Sequence, residues 1–257
     1  MKKYAAGAIR NVALVSHGGA GKTSIAEALL YSSGTINRLG TTTAGNTTTD
    51  FDAEEIKRQI SINTALAPLE WKGTKINILD TPGYFDFIGE VISALRVADG
   101  AVISVCAVSG VEVGTEKVWG YAEERNLPRM FFVNKLDREN ASFSRVLEQL
   151  REFFGLRAVP VQMPAGEEEN LKGIVDLVNM KAVMFEAGGL KFKEEDIPAG
   201  LQDKAKEYRN QLIEAVAESD DELLMKYLEG EPLTEEEIRG GLRKGVLEKK
   251  IFPILCG

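Results

Sequence analysis

Apolar runs and helical stretches alternate along the first half of the chain. Val12–Val15, Ala101–Val108 and Pro128–Val133 are continuous apolar runs, the pattern of strands buried on both faces. The two strands of a hairpin are predicted over Ile60–Trp71 and Thr74–Leu79. This part of the chain is therefore predicted to be an α/β domain. Apolar residues at helical spacing predict its helices, over Ser24–Leu30, Phe87–Val97 and Val111–Asn126.

The second half has a different pattern, in which short strands precede helices. Residues 157–193 predict short strands, with turns at Gly173 and Gly188–Gly189. Thr234 and the three glutamates after it are typical of a helix N-terminus, and this helix is expected to end near Glu248. Lys249–Cys256 is apolar again, and we assign it to the sheet of the first half. Two more helices are predicted, over Leu201–Glu218 and Asp221–Leu228.

A glycine-rich stretch separates the first strand from the first helix. Ser16–Gly21 holds too much glycine for either element, and Lys22 and Thr23 follow it. Strand, glycine loop, Lys-Thr and helix form the arrangement that binds a triphosphate, because loop N–H groups and a helix N-terminus attract anions. Lys22 would reach the β- and γ-phosphates, and the Thr23 hydroxyl would be a ligand of Mg²⁺. Since Ser16 occupies the first glycine of the G-x-x-x-x-G-K-[ST] pattern, a simple glycine-rich turn stays the alternative at this point.

Two features downstream suit a phosphate site. Residues 32–50 are mostly Ser, Thr, Gly and Asn without periodicity, which predicts a long mobile loop of the kind that is usually functional. The second hairpin strand ends in Asp80-Thr81-Pro82-Gly83. Asp80 would hold Mg²⁺ through water, and the Gly83 N–H would face the γ-phosphate. Taken alone, an Asx-type turn explains this tetrapeptide equally well.

The tetrapeptide Asn134-Lys135-Leu136-Asp137 follows another buried strand. The Asp137 carboxylate can accept hydrogen bonds from both N1–H and the exocyclic amine of guanine. Adenine has no such pair of donors, and a buried carboxylate left unpaired is costly. Asn134 would tie this loop to the phosphate loop, and the stem of Lys135 would cover the base. Three motifs in this order, each after a strand, predict a guanine-nucleotide site.

These motifs resemble those of the translational GTPases, and most closely bacterial elongation factor G. The resemblance extends beyond the motifs, because several segments are similar to the insert subdomain of that factor. It covers essentially the whole chain, and it implies a P-loop NTPase G domain of α/β class with a mostly parallel sheet and an inserted α+β subdomain. The similar insert segments are Val159–Pro164, Lys172–Leu177, Leu212–Ala217 and Asp220–Leu224.

The resemblance also implies a division of the chain. Residues 1–155 would form the GTP-binding domain, residues 156–249 the acidic insert, and residues 250–257 a strand that returns to the first domain. In the family this strand leads into a Gly-Ser-Ala loop that touches the guanine, of which only Gly257 is present. We therefore expect the sequence to be an N-terminal piece of a longer protein.

The resemblance implies that GTP or GDP binds together with Mg²⁺. Thr23, Ser61 and Asp80 would be the metal ligands, and Lys22 and Tyr84 the candidate catalytic residues. The implied nucleotide-binding residues are Ser16, His17, Gly18, Gly19, Ala20, Gly21, Lys22, Thr23, Ser24, Asp80, Thr81, Pro82, Gly83, Asn134, Lys135, Leu136, Asp137 and Cys256.

Four positions depart from the family pattern. Gly19 stands where an aspartate is usual, so a possible ligand for a second, monovalent cation is absent. Gln59 replaces a glycine, and Ser61 replaces the threonine that binds Mg²⁺ when the mobile loop closes. Tyr84 replaces the histidine that positions the attacking water, and His17 is the single histidine of the chain. These departures bear on the mechanism more than on the fold.

Composition and charge narrow the class of protein. The chain has 257 residues, of which 44% are hydrophobic and 27% charged, as in soluble globular proteins. Residues 155–257 hold 14 Lys and Arg against 21 Asp and Glu, a net charge of −7, so this part is not expected to be a nucleic-acid surface. Cys106 and Cys256 lie in apolar runs and are expected to be buried thiols in a reducing cytosol. We expect no membrane span and no signal peptide.

The resemblance implies a cytoplasmic GTPase that acts on the ribosome, in translocation or in the task of a specialised paralogue. A ribosome-protection factor of the tetracycline-resistance kind shares the same motifs. Because of Tyr84, a different function stays possible: a binding module that changes shape between its GTP and GDP forms to recruit a partner, with little hydrolysis. An ATP-driven enzyme is opposed by Asp137. A basic protein partner of the acidic insert is a further expectation, against the simpler one of a solvated acidic subdomain.

Overall fold

The first apolar run forms strand β1, Ile9–Val15. It is parallel to both of its neighbours, β3 (Thr74–Asp80) and β4 (Gly100–Cys106). Strand β2, Ala65–Trp71, is antiparallel to β3, as expected for a hairpin. Because β1 and β3 run the same way and Leu14 lies opposite Asp80, the turns that follow these two strands meet at one edge of the sheet.

Helix α1, Lys22–Ser32, covers this sheet and contributes to its core. Helix α2, Ala53–Arg58, was not predicted, and the expected strand from Ile60 was wrong at that end because β2 begins at Ala65. The two remaining helices of this part agree with the sequence, α3 at Ile88–Val97 and α4 at Val113–Glu124. The buried core residues next to α1 are Leu14, Ala26, Leu30, Ala67, Leu69 and Ile78.

A second set of parallel strands is formed by β5 (Arg129–Asn134), β6 (Ala158–Pro160) and β11 (Phe252–Cys256). Strand β11 lies between the other two, with Ile254 opposite Phe131 and Phe252 opposite Ala158. The late apolar run therefore does return to a parallel sheet. Helix α5, Phe143–Phe154, precedes β6.

An antiparallel sheet of four strands follows in sequence, in the order β10-β9-β8-β7. Three helices come after it, and α8 begins as predicted, because Thr234 and Glu237 form a capping box. The mixed α/β class with a mostly parallel sheet and an additional α+β part is confirmed. The strands are β7 (Gln162–Ala165), β8 (Gly173–Asp176), β9 (Lys181–Phe185) and β10 (Phe192–Glu195), and the helices are α6 (Gln202–Glu218), α7 (Asp221–Leu228) and α8 (Glu235–Leu247).

The structure is a computed structural model that describes residues 2–186 and 191–257, so the predicted turn at Gly188–Gly189 lies outside it. The predicted turn at Gly173 was wrong, because this residue pairs with Ala165 as the first residue of β8 and the turn precedes it. The chain divides into two compact units. The first comprises Met1–Ser104 and Glu112–Pro128, and the second comprises Val105–Val111 and Arg129–Gly257. The division at residues 155 and 249 made from the sequence stays a prediction. Among the described residues no helix is long and apolar enough to cross a membrane.

Candidate functional site

The turn after β1 has the backbone of an anion-binding loop. Gly19 (φ 82°) and Gly21 (φ 92°) both adopt the left-handed conformation that favours glycine, and Gly21 is the N-cap of α1. The first N–H groups of α1 therefore follow directly on the loop, where they can bind an anion. A Cβ placed on Gly19 would meet no atom within 4 Å, but the left-handed backbone at this position disfavours any side chain.

Lys22 is buried beside this loop. Only 6% of the residue is exposed, and its Nζ donates a hydrogen bond to Ser16 Oγ at 2.9 Å. Burial lowers the pKa of Lys22 to about 8, while Asp80 and Asp50 act against that change. A pKa near 8 leaves the amine mainly protonated at neutral pH, so this side chain supplies the positive charge of the loop.

Two carboxylates and three hydroxyls gather around Thr23. Its Oγ1 lies 3.3 Å from Ser61 Oγ, and Ser61 donates to Asp50 Oδ1 at 2.7 Å. Thr49 donates to Asp80 Oδ2 at 2.7 Å. Thus the structure brings together the three residues expected to hold a metal, Thr23, Ser61 and Asp80, and adds Thr49 and Asp50 to them.

This oxygen cluster fits Mg²⁺. Asp80 is 1% exposed, and its Oδ1 has no hydrogen-bond partner among the described residues. Burial raises the pKa of Asp80 to about 6, which means that the ionised carboxylate needs a cation near it. Within residues 2–186 and 191–257 no three His, Cys, Asp or Glu side chains form a metal cluster. Mg²⁺ usually binds one or two carboxylates together with hydroxyl and phosphate oxygens, rather than a set of ligands supplied by protein alone.

The turn after β3 packs closely on the glycine loop. Thr81 Oγ1 donates to Leu14 O at 2.7 Å, which ties this turn to β1. A Cβ placed on Gly83 would lie 2.7 Å from both Gly18 Cα and Lys22 Nζ, so only glycine fits there. Pro82, between them, is buried.

The ring of Tyr84 packs against the glycine loop. A Cβ placed on Gly18 would lie 3.3 Å from Tyr84 Cζ and 3.4 Å from two further ring carbons. Tyr84 is still 47% exposed, so one face of the ring contacts the loop while solvent reaches the rest. The residue expected to orient the attacking water is therefore next to the loop that would hold the phosphates.

His17 contacts helix α4. Its Nε2 lies 3.5 Å from Glu112 Oε1, and a Cβ on Gly114 would lie 2.6 Å from its Nδ1. The ring also meets Phe85 edge-on, with centroids 6.1 Å apart. The ring thus faces Glu112, Gly114 and Phe85, and its Nδ1 is buried with no hydrogen-bond partner among the described residues. The contribution of His17 to an anion site would therefore come from its backbone.

Two buried carboxylates that the sequence analysis missed hold the serine- and threonine-rich loop and the segment that follows α2. Glu27, 1% exposed, accepts hydrogen bonds from the N–H groups of Gly40 and Thr48. Glu55, 2% exposed, accepts from the N–H groups of Ile62 and Asn63. Hydrogen bonds to buried carboxylates, rather than apolar contacts, thus fix these segments. The mobility predicted for this loop stays a prediction.

The tetrapeptide after β5 forms a tight loop in the second unit. Lys135 has φ 66°, and Leu136 is fully buried. The backbone of Gly257 holds this loop, because its N–H donates to Val133 O at 3.0 Å and its carbonyl accepts from Leu136 N at 3.4 Å. The side chain of Asp137 is 67% exposed and lies 3.9 Å from Arg138 Nε. The expectation of a buried carboxylate was therefore wrong for the free loop, whose Asp137 is open to a ligand.

Cys256 lies behind this loop as a structural residue. It is 4% exposed, and burial raises the pKa of its thiol well above the usual range. Its N–H donates to Gln162 Oε1 at 3.2 Å. Cys256 is thus a buried residue of β11 opposite Val133, and Gly257, next in the chain, makes the hydrogen bonds to the loop. Cys106 is also a buried free thiol, as predicted.

Comparison with known proteins agrees with this geometry. Residues 7–257 match the model of the elongation factor Tu GTP-binding domain. The chain belongs to this family. A crystal structure of a protein from Thermus thermophilus superposes with a TM-score of 0.90 at 38% sequence identity. The match covers 97% of this chain and 37% of that one, so the chain spans little more than a third of the length of that protein. The resemblance to the translational GTPases is confirmed.

Proposed function

We propose that this chain is the GTP-binding and GTP-hydrolysing domain of an elongation factor G-like translational GTPase that acts on the ribosome in the cytoplasm. The observation that carries the proposal is the grouping of Lys22, Thr23 and Asp80 where β1 and β3 end, in a chain of this family. A ribosome-bound role is supported by the family and by the similarity of the insert segments to those of elongation factor G.

Each motif has a distinct task in this proposal. The N–H groups of Ser16–Ser24 and the Lys22 amine bind the phosphates, and the backbone N–H of Gly83 meets the γ-phosphate. Asp137 accepts from both guanine donors, which selects GTP over ATP. Thr23, Ser61 and Asp80 would hold Mg²⁺, which would supply positive charge beside the phosphates.

Hydrolysis by the isolated chain should be slow. It requires a group that orients water in line with the γ-phosphate and charge that stabilises the transition state. Tyr84 packs on Gly18 and so lies beside the glycine loop, but a phenol side chain has no cationic form that could stabilise negative charge in the transition state. It can bond a water and brings no positive charge. The rate expected for the isolated domain is on the order of 10⁻⁴ s⁻¹ or below.

A nucleotide-gated binding module is the second candidate, and it is favoured by Tyr84, which stands where the family has the histidine that positions the attacking water. In such a protein GTP and GDP would hold the loop over residues 32–50 in different positions, and a partner would bind one of them. The net charge of −7 on residues 155–257 suits a basic protein partner. A ribosome-protection factor shares the motifs of this domain, and the rest of such a protein would distinguish the two.

Single-turnover GTP hydrolysis by the full-length protein, with and without ribosomes, tests the proposal. Ribosomes should accelerate hydrolysis by a factor of about 10³ or more, because they would supply the missing transition-state stabilisation. A full-length protein that binds GTP tightly but hydrolyses it no faster on ribosomes would support the gated module. Failure to bind GTP at all would overturn both.

A further inference from the structure

The loop between β7 and β8 contacts the tetrapeptide loop from outside the motif. We define residues 134–142 as the base loop and residues 165–172 as the clamp loop. The Glu168 N–H donates to Leu136 O at 2.8 Å, and Glu168 Oε1 accepts from Asn140 N at 2.6 Å. One residue of the clamp loop therefore bonds the base loop on both sides of Asp137.

The neighbouring residue, Glu167, makes a third connection. Its Oε1 accepts from Phe143 N at 2.8 Å, at the first residue of α5, directly after the base loop. A carboxylate at a helix N-terminus is stabilised by the free N–H groups there. The clamp loop is thus bonded to the base loop at Leu136 and Asn140, and to Phe143, the residue that follows the base loop.

The clamp loop itself is fixed in shape. It closes the antiparallel pair β7 and β8, in which Ala165 lies opposite Gly173, and the Lys172 N–H donates to Ala165 O at 3.0 Å. Glu168 has φ 56°, a left-handed conformation that non-glycine residues adopt only when their surroundings determine it. Gly166 has φ 97°, and a side chain there would overlap the carbonyl of Asn170. A rigid hairpin therefore presents Glu167 and Glu168 to the base loop.

Asp137 depends on its backbone for its position. Its side chain is 67% exposed, and its charged neighbour Arg138 is itself 68% exposed at 3.9 Å, too far for a hydrogen bond. Selectivity for guanine requires the carboxylate to meet two donors at once, which tolerates displacement of only about 0.5 Å. The backbone around Asp137 must therefore be held, and Glu168 holds it at Leu136 and at Asn140.

We propose that the clamp loop is a positioning element for base recognition, in which the Glu168 carboxylate places Asp137 for guanine. This inference rests on the proposed function, because it assumes that Asp137 binds the base. Other supports of the base loop remain without Glu168, among them the bonds from Arg145 Nη2 to Asn140 O, from Leu136 N to Gly257 O and from Ser142 N to Ala107 O. Loss of the carboxylate should thus misplace Asp137 without unfolding the chain.

The test compares GDP and ADP affinities of the chain, measured by competition with a fluorescent guanine nucleotide. Glu168→Ala should weaken GDP binding about tenfold and change ADP binding less than about twofold, since ADP does not use the donor pair that Asp137 recognises. Glu168→Gln keeps an oxygen acceptor of the same reach and should restore GDP affinity to within about threefold. Glu169→Ala removes an exposed neighbouring carboxylate that makes none of these bonds and should change neither affinity.

Amide exchange gives a readout that needs no nucleotide. The Asn140 N–H should exchange faster in Glu168→Ala than in the unmodified chain and in Glu169→Ala. If Glu168→Ala does not fold, Glu168→Asp replaces it, because the shorter side chain cannot reach Asn140 and aspartate tolerates the left-handed backbone.

The outcomes separate this inference from the proposed function. An unmodified chain that does not prefer GDP over ADP would overturn both. A chain that prefers GDP, with a GDP to ADP affinity ratio unchanged in Glu168→Ala, would overturn the positioning role alone. Equal losses for GDP and ADP would also overturn it, because they would indicate general loosening of the fold.

Discussion

Replacing Asp80 by Asn should stabilise the nucleotide-free chain at neutral pH and weaken its Mg²⁺-dependent binding of GTP. Asp80 is almost completely buried, and burial raises the pKa of its carboxyl from 3.8 to about 6. The ionised carboxylate thus destabilises the folded chain in the absence of a cation. Asparagine has nearly the same shape and no charge, so it removes this cost together with the metal ligand.

The size and pH dependence of the effect follow from the two pKa values. A pKa difference of about two corresponds to about 3 kcal/mol, at about 1.36 kcal/mol for each unit. Between about pH 4 and pH 6 the folded chain binds more protons at Asp80 than the unfolded chain does, so stability falls as pH rises through this window. This pKa already includes the opposing effects of Thr49 and Lys22, so we expect a gain for Asp80→Asn of up to about 3 kcal/mol above about pH 6.5 and little near pH 4.

Urea unfolding followed by tryptophan fluorescence measures this gain, because Trp71 and Trp119 both lie in the unit that contains Asp80. Asp86→Asn, at an exposed position, is the matched control and should change little. A gain for Asp80→Asn that appears at about pH 7.5 and disappears at about pH 4.5 supports the reasoning. Equal stability of variant and parent at the higher pH, or a gain of the same size at both, would refute it.

Three further predictions concern the phosphate end of the site. Glu27→Ala should speed amide exchange at Gly40 and Thr48, with or without GDP, because their shared acceptor is lost; unchanged protection would contradict the anchoring role. Gly83→Ala should weaken GTP binding at least about tenfold, since its Cβ would overlap Gly18 and Lys22, whereas Gly89→Ala meets no atom within 4 Å and should bind normally in the same titration. Tyr84→Ala should change the slow single-turnover rate of the isolated chain less than about threefold, and collapse of that rate, or turnover near about 1 s⁻¹ in the parent, would mean that the tyrosine is a working catalytic group.

Much of the parallel-sheet framework was accessible from local patterns alone. Strands buried on both faces read as continuous apolar runs, and Val12–Val15 and Pro128–Val133 both lie in strands. Glycine loops after such strands have few alternative conformations, which explains why the turn at Gly19 and Gly21 was found. These two patterns are strong because each depends only on residues that are close together in the sequence.

The buried carboxylates could not be found in this way. Glu27 and Glu55 look like solvent-exposed charges on short helices, and only the fold shows that loop N–H groups surround them. One signal was present for Glu27, which follows Thr23 by one helical turn and so lies on the same side of α1. The clamp loop was missed for the same reason, because its contacts join segments about 30 residues apart.

The structure explains one departure from the family pattern, the glutamine at position 59 where glycine is usual. Gln59 ends α2 at φ 56°, the left-handed conformation, which accounts for the glycine usual in the family at this position. A glutamine there costs about 1 kcal/mol, and its Nε2 donates to Thr43 O at 3.4 Å. Helix α2 itself escaped prediction because six residues give too little periodicity.

Competition between GTP and ATP for the unmodified chain, in the presence of Mg²⁺, tests the central claim most directly. With ATP bound, the Asp137 carboxylate would lack its two donors, and a resulting loss of about 3 kcal/mol in binding free energy predicts a preference for GTP of at least about 100-fold. Asp137→Asn should reduce this preference and allow xanthine nucleotides to bind, because their C2 oxygen suits an amide donor. Comparable affinities for GTP and ATP would contradict the assignment of Asn134–Asp137 as a guanine-recognition loop and, with it, the proposal that this chain is a GTPase domain.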